Sequence, residues 1–192
     1  KGIRVLDDAY TLSVPYNAPI LAEVEGGYTL DGVMSIGGVR YYTRGERSVT
    51  VDERGPIRTV ILIEGKLQDE SENRGFDYEV RLYAYSGLPI IQVSTALVNT
   101  WDSQFTLVDN WNLRVNSSSG IDKVRIGLAD ELVGSDRAEL THIYYDKYKL
   151  VLDGESKVYE GTAQGWIDLS TGGDNLGVAV RYFPEKYPKQ FA

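Results

Sequence analysis

The chain of 192 residues contains no cysteine and only one histidine. Without cysteine, no disulfide can crosslink the fold, and no thiolate can act as a nucleophile or a metal ligand. A single histidine, His142, excludes a metal site built from several imidazoles. Thiol catalysis and multi-histidine metal centres are therefore removed from the functions to consider.

Basic residues and long apolar runs are also scarce. Twenty Lys and Arg stand against 28 Asp and Glu, which gives a formal charge of −8, and this argues against a nucleic-acid partner because phosphates call for a basic surface. No apolar run approaches the ~20 residues of a membrane span. The chain opens on Lys1 and its one methionine, Met34, is internal. We therefore expect a processed or trimmed segment whose targeting signal is not visible.

The chain is instead rich in tyrosine, with 14 residues, and in glycine, with 20. Period-two alternation recurs along it, which predicts an all-β fold of two packed antiparallel sheets with little helix. A single short helix is expected around residues 130–140. The predicted strands span residues 3–6, 9–14, 20–24, 39–43, 48–51, 57–64, 76–85, 90–98, 106–115, 124–128, 144–152, 157–160, 162–169 and 177–183. Glycine pairs and Asp-Gly pairs predict the turns, at residues 25–27, 31–32, 37–38, 153–154 and 172–173.

The clearest strand is Phe76–Tyr85. Its even-numbered residues are apolar and its odd-numbered residues are polar or tyrosine, which predicts one core face and one outer face. The turn at residues 86–89 then predicts a hairpin with Ile90–Val98. The segment Ile57–Glu64 is apolar on both faces and predicts a central strand.

Tryptophan residues offer the first binding candidate. Trp111 shares a strand face with Leu107 and Leu113, which predicts a core position. Trp166 lies among polar neighbours, and an indole in such surroundings suits a sugar ring because it combines apolar area with a hydrogen-bond donor. The alternative is that Trp166 covers a neighbouring loop.

Three further features carry weaker chemical signals. His142 would need a carboxylate such as Asp146 or Glu139 to act as an acid or base, and a structural role is the alternative. The only glycosylation-type sequon begins at Asn116, in a segment expected to be a flexible turn. No cofactor is expected. The stretch with Asp168, Asp174 and Asn175 could offer oxygen ligands to calcium, but it lacks the alternating acidic pattern of an EF-hand loop, so a plain hairpin turn is favoured.

The aromatic tail after the last predicted strand supports two interpretations. Its residues of interest are Arg181, Tyr182, Phe183, Lys186 and Tyr187. As a sugar site, this tail would join Trp166 and His142 in binding carbohydrate. As a structural clamp, its aromatics would pack over a sheet edge while its prolines stop further strand pairing.

Four stretches together carry a family resemblance. They are GPIRTVILIEG (55–65), YEVRLYAYSGLP (78–89), IQVSTALVNT (91–100), and GWIDL (165–169) followed by GVAVRYFPEKYPK (177–189). Their order is similar to the β-sandwich, or super-sandwich, region of exo-rhamnogalacturonan lyase-like proteins. The resemblance covers about residues 55–189, so we expect a sandwich domain at residues 55–192. Residues 1–54 are then a strand-rich segment that is either the end of a preceding β-domain or an extension of the same domain.

The resemblance implies the fold more than an activity, and we expect a non-catalytic, carbohydrate-associated domain, extracellular or at the cell surface, with polysaccharide as its partner. In such lyases a helical toroid completes the cleft, and this chain has no such segment. A catalytic version would be a polysaccharide lyase, which needs a base and a cation beside the uronate carboxylate; Arg181, Lys186 and Tyr187 are of suitable types. The alternative is a self-associating subunit of an extracellular filament or surface layer, built by strand exchange with Lys1–Val14 as donor.

Overall fold

Antiparallel β-strands are the regular secondary structure of the described residues. The computed structural model describes residues 1–101, 105–119, 122–127, 132–134, 138–144, 146–152, 154–171, 174–181, 183 and 189–191. At residues 132–134, 138, 142, 152, 171, 174 and 189–191 it describes the backbone alone. These residues contain no helix, and so none that could cross a membrane. The predicted β-sandwich is confirmed.

Residues divide into two compact units, Lys1–Asn116 and Ser117–Ala192. Residues 1–54 lie in the first unit together with residues 55–116, as an extension of the same domain would. Residues 55–57, where the resemblance begins, connect two paired strands of one sheet.

The first unit contains one ten-stranded sheet. Its strands are β1 (Gly2–Asp7), β2 (Tyr10–Pro15), β3 (Ala22–Val24), β4 (Tyr28–Ile36), β5 (Val39–Tyr42), β6 (Arg47–Arg54), β7 (Arg58–Gln68), β8 (Arg74–Tyr85), β9 (Ile91–Val98) and β10 (Asn110–Ser117). The order is β1-β2-β3-β4-β5-β7-β8-β9, with β6 added to β7 and β10 added to β4. The N-terminal strand proposed as an exchange donor is therefore already paired, in register, with β2 of its own chain.

The sheet folds over so that its two halves enclose one core. Buried residues of β2 and β4, such as Leu12 and Met34, belong to the same cluster as Ile61 of β7 and Leu82 of β8. The Tyr10 hydroxyl donates across the layers to the Tyr85 carbonyl at 3.2 Å. Burial of these apolar side chains on both inner faces is what drives the two halves together.

Strand β8 shows the predicted alternation along its length. Phe76, Tyr78, Val80, Leu82 and Ala84 are all buried, and the odd-numbered residues between them are half-buried. β8 pairs with β7 on one side and β9 on the other. Both the central position of β7 and the β8–β9 hairpin are thus confirmed.

Strand β4 was missed because it contains a glycine that resembles a turn signal. Gly32, in the predicted Asp31-Gly32 turn, lies mid-strand beneath the indole of Trp111, whose Cζ3 would be 3.1 Å from a Cβ built at this position. Its N–H donates to the buried Thr43 hydroxyl at 3.1 Å. Glycine is present here because a ring needs the space of a side chain, not because the backbone turns.

Two other strand predictions were wrong near the end of the first unit. β10 begins at Asn110 rather than at residue 106, and Leu107 is 82% exposed. Trp111 does pack against the core, as expected. Asn116 lies in β10 rather than in a flexible turn, because its side-chain amide bonds Asp31 of β4, the strand that β10 pairs with.

The second unit is a smaller sandwich of two four-stranded sheets. Its strands are β11 (Lys123–Ile126), β12 (Leu132–Gly134), β13 (Ala138–Tyr144), β14 (Lys147–Leu152), β15 (Glu155–Glu160), β16 (Trp166–Thr171), β17 (Asp174–Ala179) and β18 (Lys189–Phe191). One sheet has the order β12-β11-β16-β17 and the other β15-β14-β13-β18. The helix expected around residues 130–140 is replaced by β12 and the start of β13, because β12 pairs with β11.

Phe183 anchors the aromatic tail in the core of the second unit. It is buried with Ile126, Leu140 and Ile167, and it packs on Gly165, which has a positive φ of 72° that favours glycine. This is the packing that the clamp interpretation requires of Phe183. Tyr182 and Tyr187 lie outside the described residues.

Substitution of Gly65 tests the close approach between β7 and β8. Gly65 faces Tyr78 across the two strands, and a Cβ at Gly65 would lie 2.6 Å from the buried Tyr78 ring. We expect Gly65→Ala to lower the free energy of unfolding by about 1–3 kcal/mol, because overpacking forces the ring or the strands to shift. Urea unfolding measures this. Gly55→Ala is the control, since its Cβ would make only an ordinary 3.4 Å contact. Equal losses in both variants would contradict the interpretation.

Acid should destabilise the fold through exposed carboxylates with lowered pKa values. The N–H groups of Ala9 and Gly87 lower the pKa of Asp7, the Asn73 amide lowers that of Asp69, and the Arg58 guanidinium lowers that of Glu53. A lowered folded-state pKa means that the unfolded chain binds more protons, so stability is present above about pH 4–5 and is lost as pH falls through the folded-state pKa values. Urea unfolding between pH 7 and pH 3 should show this fall, and Asp7→Asn should make it shallower. A free energy of unfolding that rises towards pH 3 is the opposite result.

Candidate functional site

The outer face of the β12-β11-β16-β17 sheet presents the best-defined candidate. Along β16, Ile167 and Leu169 contact the core of the second unit. Strand alternation therefore places Trp166, Asp168 and Ser170 on the opposite, outer face. The short sequence Trp-Ile-Asp-Leu-Ser thus builds a core side and a polar side within five residues.

The Trp166 indole lies across the backbone of Gly127. A Cβ at Gly127 would overlap the five-membered ring of the indole, so only glycine admits the ring there. The Gly127 N–H and carbonyl are hydrogen-bonded to residues 166 and 164, and the indole N–H donates to the Gln164 side-chain carbonyl at 3.0 Å. Since the side chain is only half-buried, part of its apolar surface remains open on the outer face.

Small residues flank the indole on β17. Ala179 is the cross-strand partner of Trp166, and Gly177 is the partner of Asp168. A Cβ at Gly177 would meet nothing within 4 Å. Since cross-strand partners share a face, this leaves a low, open strip beside the indole into which a flat ligand could settle.

An ion pair lies on the other side of that strip. The Arg125 Nε donates to Asp168 Oδ2 at 2.9 Å, and a second guanidinium nitrogen contacts the same oxygen. The Asp168 side chain is 15% exposed. Further along, the Ser170 hydroxyl donates to Asn175 Oδ1 at 2.8 Å. The face therefore combines one aromatic surface with rows of hydrogen-bonding groups.

The sequence-predicted carbohydrate residues do not all assemble on this face. Arg181 is exposed and follows Ala179 by two residues. His142, described by its backbone alone, lies in β13 of the other four-stranded sheet, opposite Tyr148. Tyr182, Lys186 and Tyr187 lie outside the described residues. Of the predicted carbohydrate-binding residues, Trp166 is thus the one whose ring contacts and hydrogen bond the structure describes.

The proposed calcium ligands are engaged within the protein where they are described. Asp168 is paired with Arg125, and Asn175 accepts from Ser170. Asp174 is described by its backbone alone, as the partner of Thr171 in the β16–β17 hairpin. Within the described ranges, no group of three or more acidic or histidine residues could hold a metal ion. The described contacts of Asp168 and Asn175 favour the plain hairpin interpretation.

The sequon at Asn116 lies on the exposed outer side of β10 in the first unit. Its amide nitrogen, the atom to which a glycan would be attached, donates to Asp31 Oδ2 at 3.2 Å and is 3.5 Å from the Thr29 hydroxyl. Asp31 also receives two bonds from Arg114. Attachment of a glycan would therefore have to break a strand-to-strand polar contact.

Sequence reasoning placed Gln164 beside Trp166 but missed Arg125, Gly127 and Gly177 as parts of this face. Arg125 and Gly127 join it through the pairing of β11 with β16, which brings together residues about 40 positions apart, and Gly177 joins it through the β16–β17 hairpin. One signal was available: Gly177 begins a predicted strand, and a strand glycine often marks a site where another group approaches closely.

Comparison with known families identifies one match. The model described as "PcRGLX-like protein central beta sandwich domain" matches residues 22–121, just over half of the chain. The comparison with curated proteins gives no match. The match begins earlier than the expected residue 55 and ends before β16, so the Trp166 face lies beyond the matched residues.

Calcium binding at the β16–β17 hairpin can be tested directly. Because the Arg125 guanidinium already compensates the Asp168 carboxylate, we expect about 5 mM CaCl2 to leave the melting temperature of the second unit unchanged, whereas a ligand bound at 100 times its Kd would stabilise the fold by about 2.7 kcal/mol. Thermal unfolding with CaCl2 and with matched ionic strength from NaCl measures this. A rise specific to calcium that is lost in Asp174→Asn would show that the hairpin binds the ion after all.

Proposed function

Because the chain belongs to the family of PcRGLX-like central beta sandwich domains, we propose that it is a non-catalytic, carbohydrate-associated β-sandwich of an extracellular protein. The family relation to rhamnogalacturonan lyase-like proteins supports a polysaccharide partner. Polysaccharides of this kind lie outside cells, which supports the extracellular setting. The observation that carries the proposal is the Trp166 indole, spread over Gly127 beside the open strip at Gly177.

Sugar recognition needs an apolar surface and nearby polar groups. A pyranose ring has one face of C–H bonds, which packs on an aromatic ring, and a rim of hydroxyls, which hydrogen-bond to side chains. Trp166 offers the aromatic surface, and Arg125, Asp168, Ser170 and Asn175 offer donors and acceptors on the same sheet face. The open strip above Gly177 leaves room for the rim of the sugar.

A binding role suits this face better than proton abstraction. A lyase base must be able to accept a proton from carbon, and its site must present a cation to the uronate carboxylate. On this face the carboxylate of Asp168 and the guanidinium of Arg125 bond to each other. That arrangement holds both groups in place as hydrogen-bonding partners for hydroxyls.

Two variants separate a sugar platform from a merely structural indole. Trp166→Ala removes the aromatic surface and should raise the Kd for an oligosaccharide about fivefold or more, since ring stacking contributes ~1 kcal/mol. Gly177→Val fills the open strip without touching the indole. Its strand φ is outside the left-handed region and its Cβ meets nothing, so the fold should be retained while binding weakens at least as much.

Isothermal titration with pectin-derived oligosaccharides provides the measurement, with one neutral and one uronate-containing ligand. Thr50→Val, on the exposed side of β6 in the first unit, is the matched control and should bind as the wild type does. Arg181→Gln should weaken only the uronate ligand if Arg181 contributes to the site. Absence of binding to both ligands, or full binding by Gly177→Val, would remove the Trp166 face as a carbohydrate site.

A further inference from the structure

Strand β9 is an edge strand without the features that normally protect an edge. Among the described residues it pairs with β8 alone. Its register with β8 is continuous from the Asp77–Val98 pair to the Ala84–Ile91 pair, with no bulge. Unpaired N–H and C=O groups along such an edge are a template for another strand, so proteins usually guard edges with charges, prolines or bulges.

The charge pattern singles out this edge. Residues 86–101 contain no Asp, Glu, Lys or Arg, in a chain where a quarter of all residues are charged. The other described edge positions of the same sheet are guarded. β1 carries Arg4 and Asp7, β10 carries Arg114, and β6 carries four charged residues and a bulge between Val51 and Glu53.

The inner side of β9 is already occupied, whereas its outer side is open. Val93 and Leu97 pack against the core of the first unit, and Trp111 donates from the inner side to the Thr95 hydroxyl at 3.2 Å. The outer residues Gln92, Ser94, Ala96 and Val98 are all exposed. A partner can therefore approach this strand along its edge and outer face without displacing any described contact.

Exposed apolar residues at the two ends of the segment 90–98 identify the partner. Ile90 is 55% exposed and Val98 is 50% exposed, and both lie four residues from Ser94. In an antiparallel pair related by a two-fold axis perpendicular to the sheet, residues on the same face oppose each other. With Ser94 on the axis, Ile90 would face the partner's Val98, and Gln92 would face the partner's Ala96.

We propose that β9 pairs with β9 of a second copy of this chain, antiparallel and centred on Ser94, to form a continuous sheet across a two-fold dimer. This register covers four exposed apolar side chains and brings no like charges together. It is independent of the proposed carbohydrate role, because β9 belongs to the first unit and the Trp166 face to the second. Pairing through one strand covers less than the ~1,200 Å² of a standard interface, so the dimer should be weak and concentration-dependent.

A charge placed on the axis tests the register. Ser94→Lys sets two ammonium groups against each other in the dimer, whereas in the monomer it adds one exposed lysine opposite Arg81, whose guanidinium is already paired with Glu79 and Asp52. Sedimentation equilibrium from about 1 μM to about 1 mM should show the wild type moving from monomer to dimer, over the range of weak interfaces. Ser94→Lys should raise the dissociation constant at least tenfold. Ser48→Lys, an exposed position on the guarded strand β6, should leave it unchanged.

A charge-complementation experiment distinguishes self-pairing from any general effect of the substitution. Ser94→Glu alone should also be monomeric, but an equimolar mixture with Ser94→Lys should form a heterodimer, because the two opposite charges then meet on the axis. Circular dichroism should confirm that both variants remain folded. A wild type that stays monomeric at about 1 mM, a dimer that survives Ser94→Lys, open-ended polymers, or no heterodimer in the mixture would each overturn the proposal.

Discussion

Close packing of aromatic side chains on glycines in or beside strands is the constraint on which both units depend. Five glycines lie against an aromatic side chain that occupies the space of their missing one: Gly32 against Trp111, Gly65 against Tyr78 and Gly75 against Tyr41 within strands, and Gly127 against Trp166 and Gly165 against Phe183 next to strands. Each ring gains contact with a neighbouring backbone, and each glycine gains the packing that it lacks, which offsets its weakness in a strand.

That constraint also explains where sequence reasoning succeeded and failed on the fold. The alternation of β8 is local, so burial of Phe76 through Ala84 could be predicted from the residues themselves. Gly32 was mistaken for a turn because the ring that requires it, Trp111, lies 79 positions later in the chain. The extent of the first unit could not be predicted for the same reason. That unit depends on the pairing of β10 with β4, and neither segment by itself predicts this pairing.

At the candidate site, too, sequence reasoning could recognise a single side chain but not the neighbours that strand pairing brings to it. An indole among polar neighbours could be recognised from the sequence, and the two roles considered for Trp166 turn out to be compatible. One part of the ring covers Gly127, while the half-buried side chain still presents surface to the outside. A rigidly seated ring is a better sugar platform than a mobile one, because less conformational freedom is lost on binding. Arg125 and Gly177 joined the site only through strand pairing.

Charge placement suggests how this acidic chain could accommodate a glycan on one surface. Several of its arginines are committed to carboxylates nearby, as Arg114 is to Asp31 and Arg125 is to Asp168. A committed guanidinium attracts an acidic sugar less than an isolated one would, because the field of its partner opposes its own. The net charge of −8 also weakens the attraction of the protein for an acidic sugar. Stacking on Trp166 and hydrogen bonds to hydroxyls are insensitive to that charge, so they would have to supply most of the affinity. Neutral stretches of a polysaccharide therefore suit this face better than its uronate residues.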